Sequence, residues 1–389
     1  MKRNWGKPNE REYMPEELDK LTHYFYLREK DSFVIDDITW HDLDMDRVFK
    51  QINYTNSSVG EEYLYALLGT PVFDQDELAA RDELICYFME HDQTRLLMQE
   101  IFANMGRTRR ISVIGYLTQF KGLEIRSPLR YIARQAAFLV SVAALFVLPS
   151  VAIVALIAVI GWNITMYYRE KRDIGSYLEA FSYISNVLDK AYLFERVKDE
   201  KLKVYTDEII KRAGALKKFQ RGRWLLKSGS DLSGGLEDVL MDYVRLLFHV
   251  DLQQFNKMLK ELYTHEGELM ELYERIGYLE SMLAAAAYRK YLETWTKPEF
   301  TGKHKIAAED LYHPLIEHPV VNSIETGRGV LLTGSNASGK STFLKTMAIN
   351  CLLAQTIYTA CAAHFELPFA RIYSSMALQD NLEGAESYY

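Results

Sequence analysis

The residues best placed to do chemistry lie at Gly334-Ser335-Asn336-Ala337-Ser338-Gly339-Lys340-Ser341, followed by Thr342. The segment fits the phosphate-binding pattern G-x-x-x-x-G-K-[ST] without a mismatch. Gly334 and Gly339 allow close backbone approach to phosphate oxygens, and the loop N–H groups form an anion cradle. The helix after the loop offers its N-terminus to the same charge. Lys340 is the cation for the β- and γ-phosphates, and Ser341 is the hydroxyl ligand for Mg²⁺. A chance glycine-rich turn is the competing reading; the flanking pattern argues against it. Val330-Leu331-Leu332 before the loop predicts a buried strand, and Phe343-Leu344-Lys345-Thr346-Met347 after it predicts a helix. The chain is therefore expected to bind ATP with Mg²⁺.

Other candidates are less specific. His313 is either close to the nucleotide or a strand-end histidine. Asp380 either touches Mg²⁺ or caps a turn. Lys211, Arg212, Lys217, Lys218, Arg221, Arg223 and Lys227 form a basic run with Phe219 and Trp224 interleaved. Three readings stand for it: DNA phosphates, anionic lipid head groups, or a solvated helix face. Neither a Cys/His metal spacing nor a Ser-His-Asp order is present, and no catalytic residue is assigned.

The elements that must position these residues divide the 389-residue chain into more than one domain. A net charge of −7 excludes a generally basic nucleic-acid binder and leaves only a local patch for DNA. Cys86, Cys351 and Cys361 are too scattered for a disulfide framework. The first residues lack the apolar core of a signal peptide. Residues 1–35 read as a loosely structured lead-in. Asp42 to Leu117 reads as helical, with one helix closing at Thr70-Pro71 and Asp74 or Asp76 capping the next. Helices are expected again from Ile174 to about Leu226. After a flexible loop at residues 228–235, a very long helix is expected from Leu236 towards Trp295. Strand signals are confined to the nucleotide loop and Ala370-Arg371-Ile372-Tyr373.

Between Arg134 and Arg169 the chain carries no charge, and residues 136–162 are almost wholly apolar. Runs beyond about 18 apolar residues read as membrane-inserted. Pro149-Ser150 interrupts the run. A single kinked span and a hairpin compete, with a buried soluble hairpin as a third reading. Positive residues on both flanks favour a hairpin with both ends cytoplasmic: Lys121, Arg126, Arg130 and Arg134 before, Arg169, Lys171 and Arg172 after. Each arm is about 14 residues, roughly 21 Å, which is short for a full crossing and points to a re-entrant hairpin or local thinning.

Several motifs together resemble the MutS family of DNA mismatch-repair ATPases. The nucleotide loop carries that family's asparagine at Asn336. His313-Pro314-Leu315-Ile316 with Val320-Val321-Asn322, and Asp380-Asn381-Leu382 with Ser387-Tyr388-Tyr389, look like its flanking segments. Leu43-Asp44-Met45-Asp46, Thr55-Asn56-Ser57-Ser58-Val59-Gly60 and Leu67-Leu68-Gly69-Thr70-Pro71 resemble its core helical domain. Tyr278-Leu279-Glu280-Ser281-Met282-Leu283 resembles the end of its lever helices. The resemblance implies an ATPase that dimerises around ATP and clamps DNA, with Ser387 reaching the partner's nucleotide. The departures are the absent mismatch-reading domain, the inserted apolar hairpin, and the lack of an acidic strand before Tyr389. Phe88-Met89-Glu90 has the spacing of the family's wedge but reads as helical core. The expected fold is therefore mixed: an all-α lever and core helical domain with an inserted membrane hairpin, then a partial α/β nucleotide-loop ATPase domain. The expected division is a lead-in (1–39), core helical domain (40–133), membrane hairpin (134–169), lever region (170–300) and an incomplete ATPase domain (301–389). The expected setting is the cell membrane, with soluble parts in the cytoplasm and a homodimer in the full-length parent. The alternative is a membrane-anchored nucleotide switch that does not bind DNA.

Overall fold

The computed structural model describes residues 5–28, 33–108, 111–120, 122–226, 236–302, 304–335 and 339–376. They are mostly helical, with a small mixed sheet. The chain divides into two compact units, Met1–Ser112 with Glu274–Tyr389, and Val113–Tyr273.

The first unit opens with α1 (Pro15–Asp19) and α2 (Thr22–Arg28), followed by α3 (Asp37–Asp42), α4 (Met45–Ile52), α5 (Ser58–Leu68), α6 (Gln75–Glu90) and α7 (Asp92–Met105). The lead-in is thus more ordered than its sequence suggests. Leu21, Tyr24 and Phe25 are buried, and Arg11 pairs with the buried Glu61 at 2.5 Å. Local periodicity is weak there because tertiary contacts, not an amphipathic stripe, hold the segment. Asp74 caps α6 by accepting from the Asp76 N–H at 2.9 Å, and Phe88 lies in the core of α6 as expected.

Every residue of α5 is buried. Its N-terminus would be costly to bury without acceptors for its first N–H groups. Ser57 accepts from the Gly60 N–H at 3.0 Å. Glu280 accepts from the N–H of Asn56, and from both the N–H and hydroxyl of Ser57. Gly60 is needed for that approach, since a Cβ there would lie 2.1 Å from the Glu280 carboxylate. The Thr55–Gly60 segment and the Tyr278–Leu283 segment are thereby parts of one buried cap.

The second unit contains α8 (Val113–Phe120), α9 (Pro128–Ala144), α10 (Pro149–Ala191) and α11 (Glu200–Ala215), then α12 (Leu236–Phe248) and α13 (Val250–Thr264). α14 (Glu266–Tyr291) begins in it and ends in the first unit. Its core includes Phe181, whose ring packs at a tilt against Phe219 at 5.3 Å and Phe255 at 4.8 Å. The uninterrupted helix expected from Leu236 is instead three helices. One break falls at His249, which adopts a left-handed φ of 53°. Its buried ring stacks on Tyr167 at 5.7 Å and contacts the Asn163 carbonyl at 3.2 Å. The second break is at His265, the cap of α13. Packing, invisible to local propensity, places the first break.

α9 and α10 form an antiparallel pair joined by a turn at residues 145–148, with Pro149 as the first residue of α10. Proline suits that position because its missing N–H would have had no helical acceptor. Of the described helices, one segment, Pro149–Gly175, is long and apolar enough to cross a membrane.

The sheet belongs to the first unit: β1 (Glu299–Phe300), β2 (Ile306–Leu311), β3 (Asn322–Thr326) and β4 (His364–Leu367), in the order β1-β4-β2-β3. β1 pairs with β4 in parallel; β2 is antiparallel to both β3 and β4. Ala370–Tyr373, expected as a strand, pairs with nothing in the sheet. Its Ala370 backbone is bound instead by the Gln355 side chain, N–H to Oε1 at 2.9 Å and C=O from Nε2 at 3.0 Å. Val330–Leu332 is likewise outside the described sheet, and Leu331 is 87% exposed. An apolar run becomes a strand only beside another strand that satisfies its backbone, and no described strand lies along this one.

Candidate functional site

The loop and its helix are built from local signals. α15 (Lys340–Thr356) starts where Gly339 takes a φ of 84°, a left-handed value that suits glycine. The first-turn amides of Ser341 and Thr342 have no acceptor within a helix, by geometry. Both residues are exposed. The Lys340 ammonium folds back over the loop and donates to the carbonyls of Gly334 at 2.7 Å and Ser335 at 2.6 Å. The structure thus brings Gly334, Ser335, Gly339, Lys340, Ser341 and Thr342 together. Asn336, Ala337, Ser338, Asp380 and Ser387 lie outside the described residues.

The other end of α15 is its anchor. From Ile349 to Thr356 every residue is buried. Two side-chain amides hold it there. Asn350 donates to the Tyr312 carbonyl at 3.2 Å and accepts from the Cys361 N–H at 2.6 Å. Gln355 clasps Ala370 as described. Arg289, fully buried, donates to Asp82 at 2.6 Å, to Thr359 at 2.8 Å and to the Tyr358 carbonyl at 2.8 Å. The flanking guanidinium and Lys297 outweigh burial and hold the Asp82 carboxyl below the usual range. Sequence reasoning passed over Asn350, Gln355 and Arg289. Their one local signal is a polar residue set within an otherwise apolar buried stretch.

His313 sits two residues beyond β2, so it is a strand-end histidine. It also lies near α15. Its Nδ1 accepts from the Leu315 N–H at 3.2 Å. Burial, helped by Lys345 and Arg47, pushes its imidazole below the ordinary value and favours the neutral ring. The adjacent Pro314 carbonyl accepts from Gln51 at 2.8 Å, tying this segment to α4.

The basic run is only partly available. Arg212 pairs with Glu268 at 2.7 Å and also with Glu271, Arg223 pairs with Asp189, and Phe219 is core. Lys217, Lys218, Arg221 and Trp224 remain exposed, and Lys227 lies outside the described residues. Among the described residues no group of three or more His, Cys, Asp or Glu side chains could hold a metal ion.

The site defines a class in outline: a glycine-hinged loop opening a helix with a half-buried lysine and an exposed serine, attached to a helical core. Comparison with known proteins narrows it. No family model matches the chain. It is 32% identical over 156 residues to MutS protein homolog 4 of Mus musculus, covering 38% of this chain and 16% of that protein. To DNA mismatch repair protein MutS of Thermotoga sp. (strain RQ2) it is 31% identical over 143 residues, 35% of this chain and 18% of that protein. Human MutS protein homolog 4 is 28% identical over 155 residues. The aligned segment therefore spans less than a fifth of these relatives. The similarities support kinship with the MutS family.

Proposed function

We propose that this chain is a MutS-type ATP-binding protein. The carrying observation is the division of α15 into a buried half clamped by Asn350 and Gln355 and an accessible first turn, with Lys340 half-buried and Ser341 exposed. Such a helix presents its N-terminus to an anion from a fixed base. The residues present fit the nucleotide. Loop amides and Lys340 would bind the β- and γ-phosphates, exchanging the lysine's carbonyl contacts for charge-assisted ones. Ser341 would ligate Mg²⁺, with Gly334 to Thr342 lining the site. The metal, when bound, neutralises charge on the phosphate oxygens. His313, neutral and near Lys345, is placed to position α15 rather than to react. Ser387 is assigned to the trans contact of an ATP-linked homodimer, as in the family it resembles; DNA is the corresponding polymeric partner.

The test is ATP binding in the presence of Mg²⁺. Lys340→Ala should lower affinity by at least tenfold, because a charged contact contributes about 1.5–3 kcal/mol. Equal affinity in both proteins would remove the assignment. DNA binding with a steep salt slope would support the mismatch-repair-related reading.

A second reading has its own observation. The basic run is partly neutralised by Glu268, Glu271 and Asp189, while the α9–α10 hairpin exposes bulky apolar side chains. That combination favours a nucleotide switch anchored in the cell membrane from the cytoplasmic side, without DNA. Binding to lipid vesicles with no measurable DNA affinity would decide for it.

A further inference from the structure

We infer that the α9–α10 hairpin is a re-entrant insertion into an anionic phospholipid bilayer, with its tip buried in hydrocarbon and not emerging on the far side. The inference rests on the membrane reading above and adds topology, depth and lipid class.

The tip is the first observation. Phe146, Val147 and Leu148 are 88%, 76% and 62% exposed. A turn emerging into water would not display three bulky apolar side chains. Most of its backbone donors are also met. The Leu145 N–H donates to Val142 at 3.2 Å, Phe146 to Ala143 at 3.2 Å, Val147 to Ala144 at 3.1 Å and Leu148 to Ala144 at 2.9 Å. Pro149 has no N–H, and Ala152 donates to Leu148 at 3.0 Å. Only the amides of Ser150 and Val151 are left at the start of α10. An unmet backbone donor in hydrocarbon costs several kcal/mol, so a turn that meets nearly all of them is suited to that depth.

The rim is the second observation. The buried pair Arg134–Glu170, at 2.9 Å, ties the two helices at one level. Arg126 completes it from the same end, 3.0 Å from Glu170. Around that level Arg130 on α9 and Arg169 and Arg172 on α10 are exposed, and none makes an ion pair among the described residues. Trp162 and Tyr168 are exposed between this rim and the apolar band. Aromatic rings beneath unpaired cations match the order of layers entering a bilayer: phosphate, interface, hydrocarbon. From Trp162 to Leu148 the helix measures about 21 Å at helical rise, less than the roughly 30 Å hydrocarbon core. Val239, Leu240 and Tyr243 on α12, which packs on α9 and α10, are exposed as well.

The experiment uses the full chain with vesicles of phosphatidylcholine alone and of phosphatidylcholine with phosphatidylserine. Binding should favour the anionic vesicles. Replacing Arg130, Arg169 and Arg172 together with Gln should reduce that preference on the order of 100-fold, roughly fivefold per arginine. A polarity-sensitive dye on Val147→Cys should report an apolar environment. That cysteine should resist a membrane-impermeant maleimide, whether added outside or trapped inside, beyond the labelling of the parent chain. Labelling by the trapped reagent would overturn the re-entrant topology while leaving membrane binding intact. Labelling by the external reagent on bound protein would show that the tip never enters the bilayer. Equal binding to both vesicle types would overturn the anionic-lipid assignment. Failure to bind any vesicle would overturn the membrane reading on which all this rests.

Discussion

Two apolar helical stretches meet opposite fates. In α14, Leu279 to Tyr288 reads LESMLAAAAY, and all ten side chains are buried. In α10, Pro149 to Trp162 is more uniformly apolar, yet only 17% of the most apolar window around it is buried. Hydrophobicity is therefore not the variable that separates them. α14 carries Glu280, Ser281 and Arg289, and neighbouring groups meet the carboxyl of Glu280 and the charge of Arg289. α10 carries no charge before Arg169, and most of its side chains from Pro149 to Trp162 are exposed. A helix with polar groups at fixed positions specifies its neighbours, because each such group needs a particular partner. A helix without them specifies only a medium.

The comparison can be broken most sharply by placing the same charge in both. Ala285→Asp should cost about 5 kcal/mol or more and leave little folded protein, since no partner awaits a carboxylate there. Val154→Asp in α10 should leave the unfolding free energy in water nearly unchanged, within about 0.5 kcal/mol. It should instead weaken vesicle binding by roughly 100-fold, the cost of an acidic residue in hydrocarbon being about 3 kcal/mol. If both variants unfolded equally, α10 would be a core helix and the contrast would vanish. Denaturant titration and vesicle co-sedimentation make the two measurements.

Next in size is Arg289→Ala, expected to cost about 4 kcal/mol in denaturant titration. It takes from Asp82 its buried partner, leaving only the half-exposed Lys297 at 2.8 Å, and leaves the Tyr358 carbonyl without its donor. A loss below about 1 kcal/mol would mean that α14 is held by apolar packing alone.

Glu280 sharpens the same point through pH. Burial raises its carboxyl from 4.5 to about 7, against the opposing pull of Ser57, Asn56 and Arg107. The folded protein therefore keeps a proton that the unfolded chain releases between about pH 4.5 and 7. Stability should fall as pH rises through that window, by about 3 kcal/mol in total. Glu280→Gln should remove this slope. A parallel pH dependence in wild type and variant would show that the carboxylate is ionised throughout.

The smallest effect concerns the site. Asn350→Ala removes one buried clamp of α15 and leaves the Cys361 N–H unpaired, at about 2 kcal/mol. Protection of the α15 amides from hydrogen exchange should fall while the α9–α10 hairpin is unaffected. Equal loss in both regions would mean global rather than local destabilisation.

What the sequence by itself determined was local. The loop-to-helix junction at Gly339-Lys340, the Asp74 cap and the interruption of the apolar run beside Pro149 all follow from residue types within a few positions of one another. Their energetics need no distant partner, so reading the chain in order is enough. The Thr55–Gly60 and Tyr278–Leu283 segments were both legible as motifs, but not that one caps the other. The tertiary structure alone decided that, as it decided the helix break at His249, the order in residues 15–28, and the exclusion of Val330–Leu332 and Ala370–Tyr373 from the described sheet. It also revealed that Asn350, Gln355 and Arg289 anchor the elements around the loop. Each of these depends on a hydrogen bond or a packed ring between residues far apart in the chain. Such a contact forms only once folding has met the loop-closure cost of bringing its partners together, and no local pattern records which partner that will be.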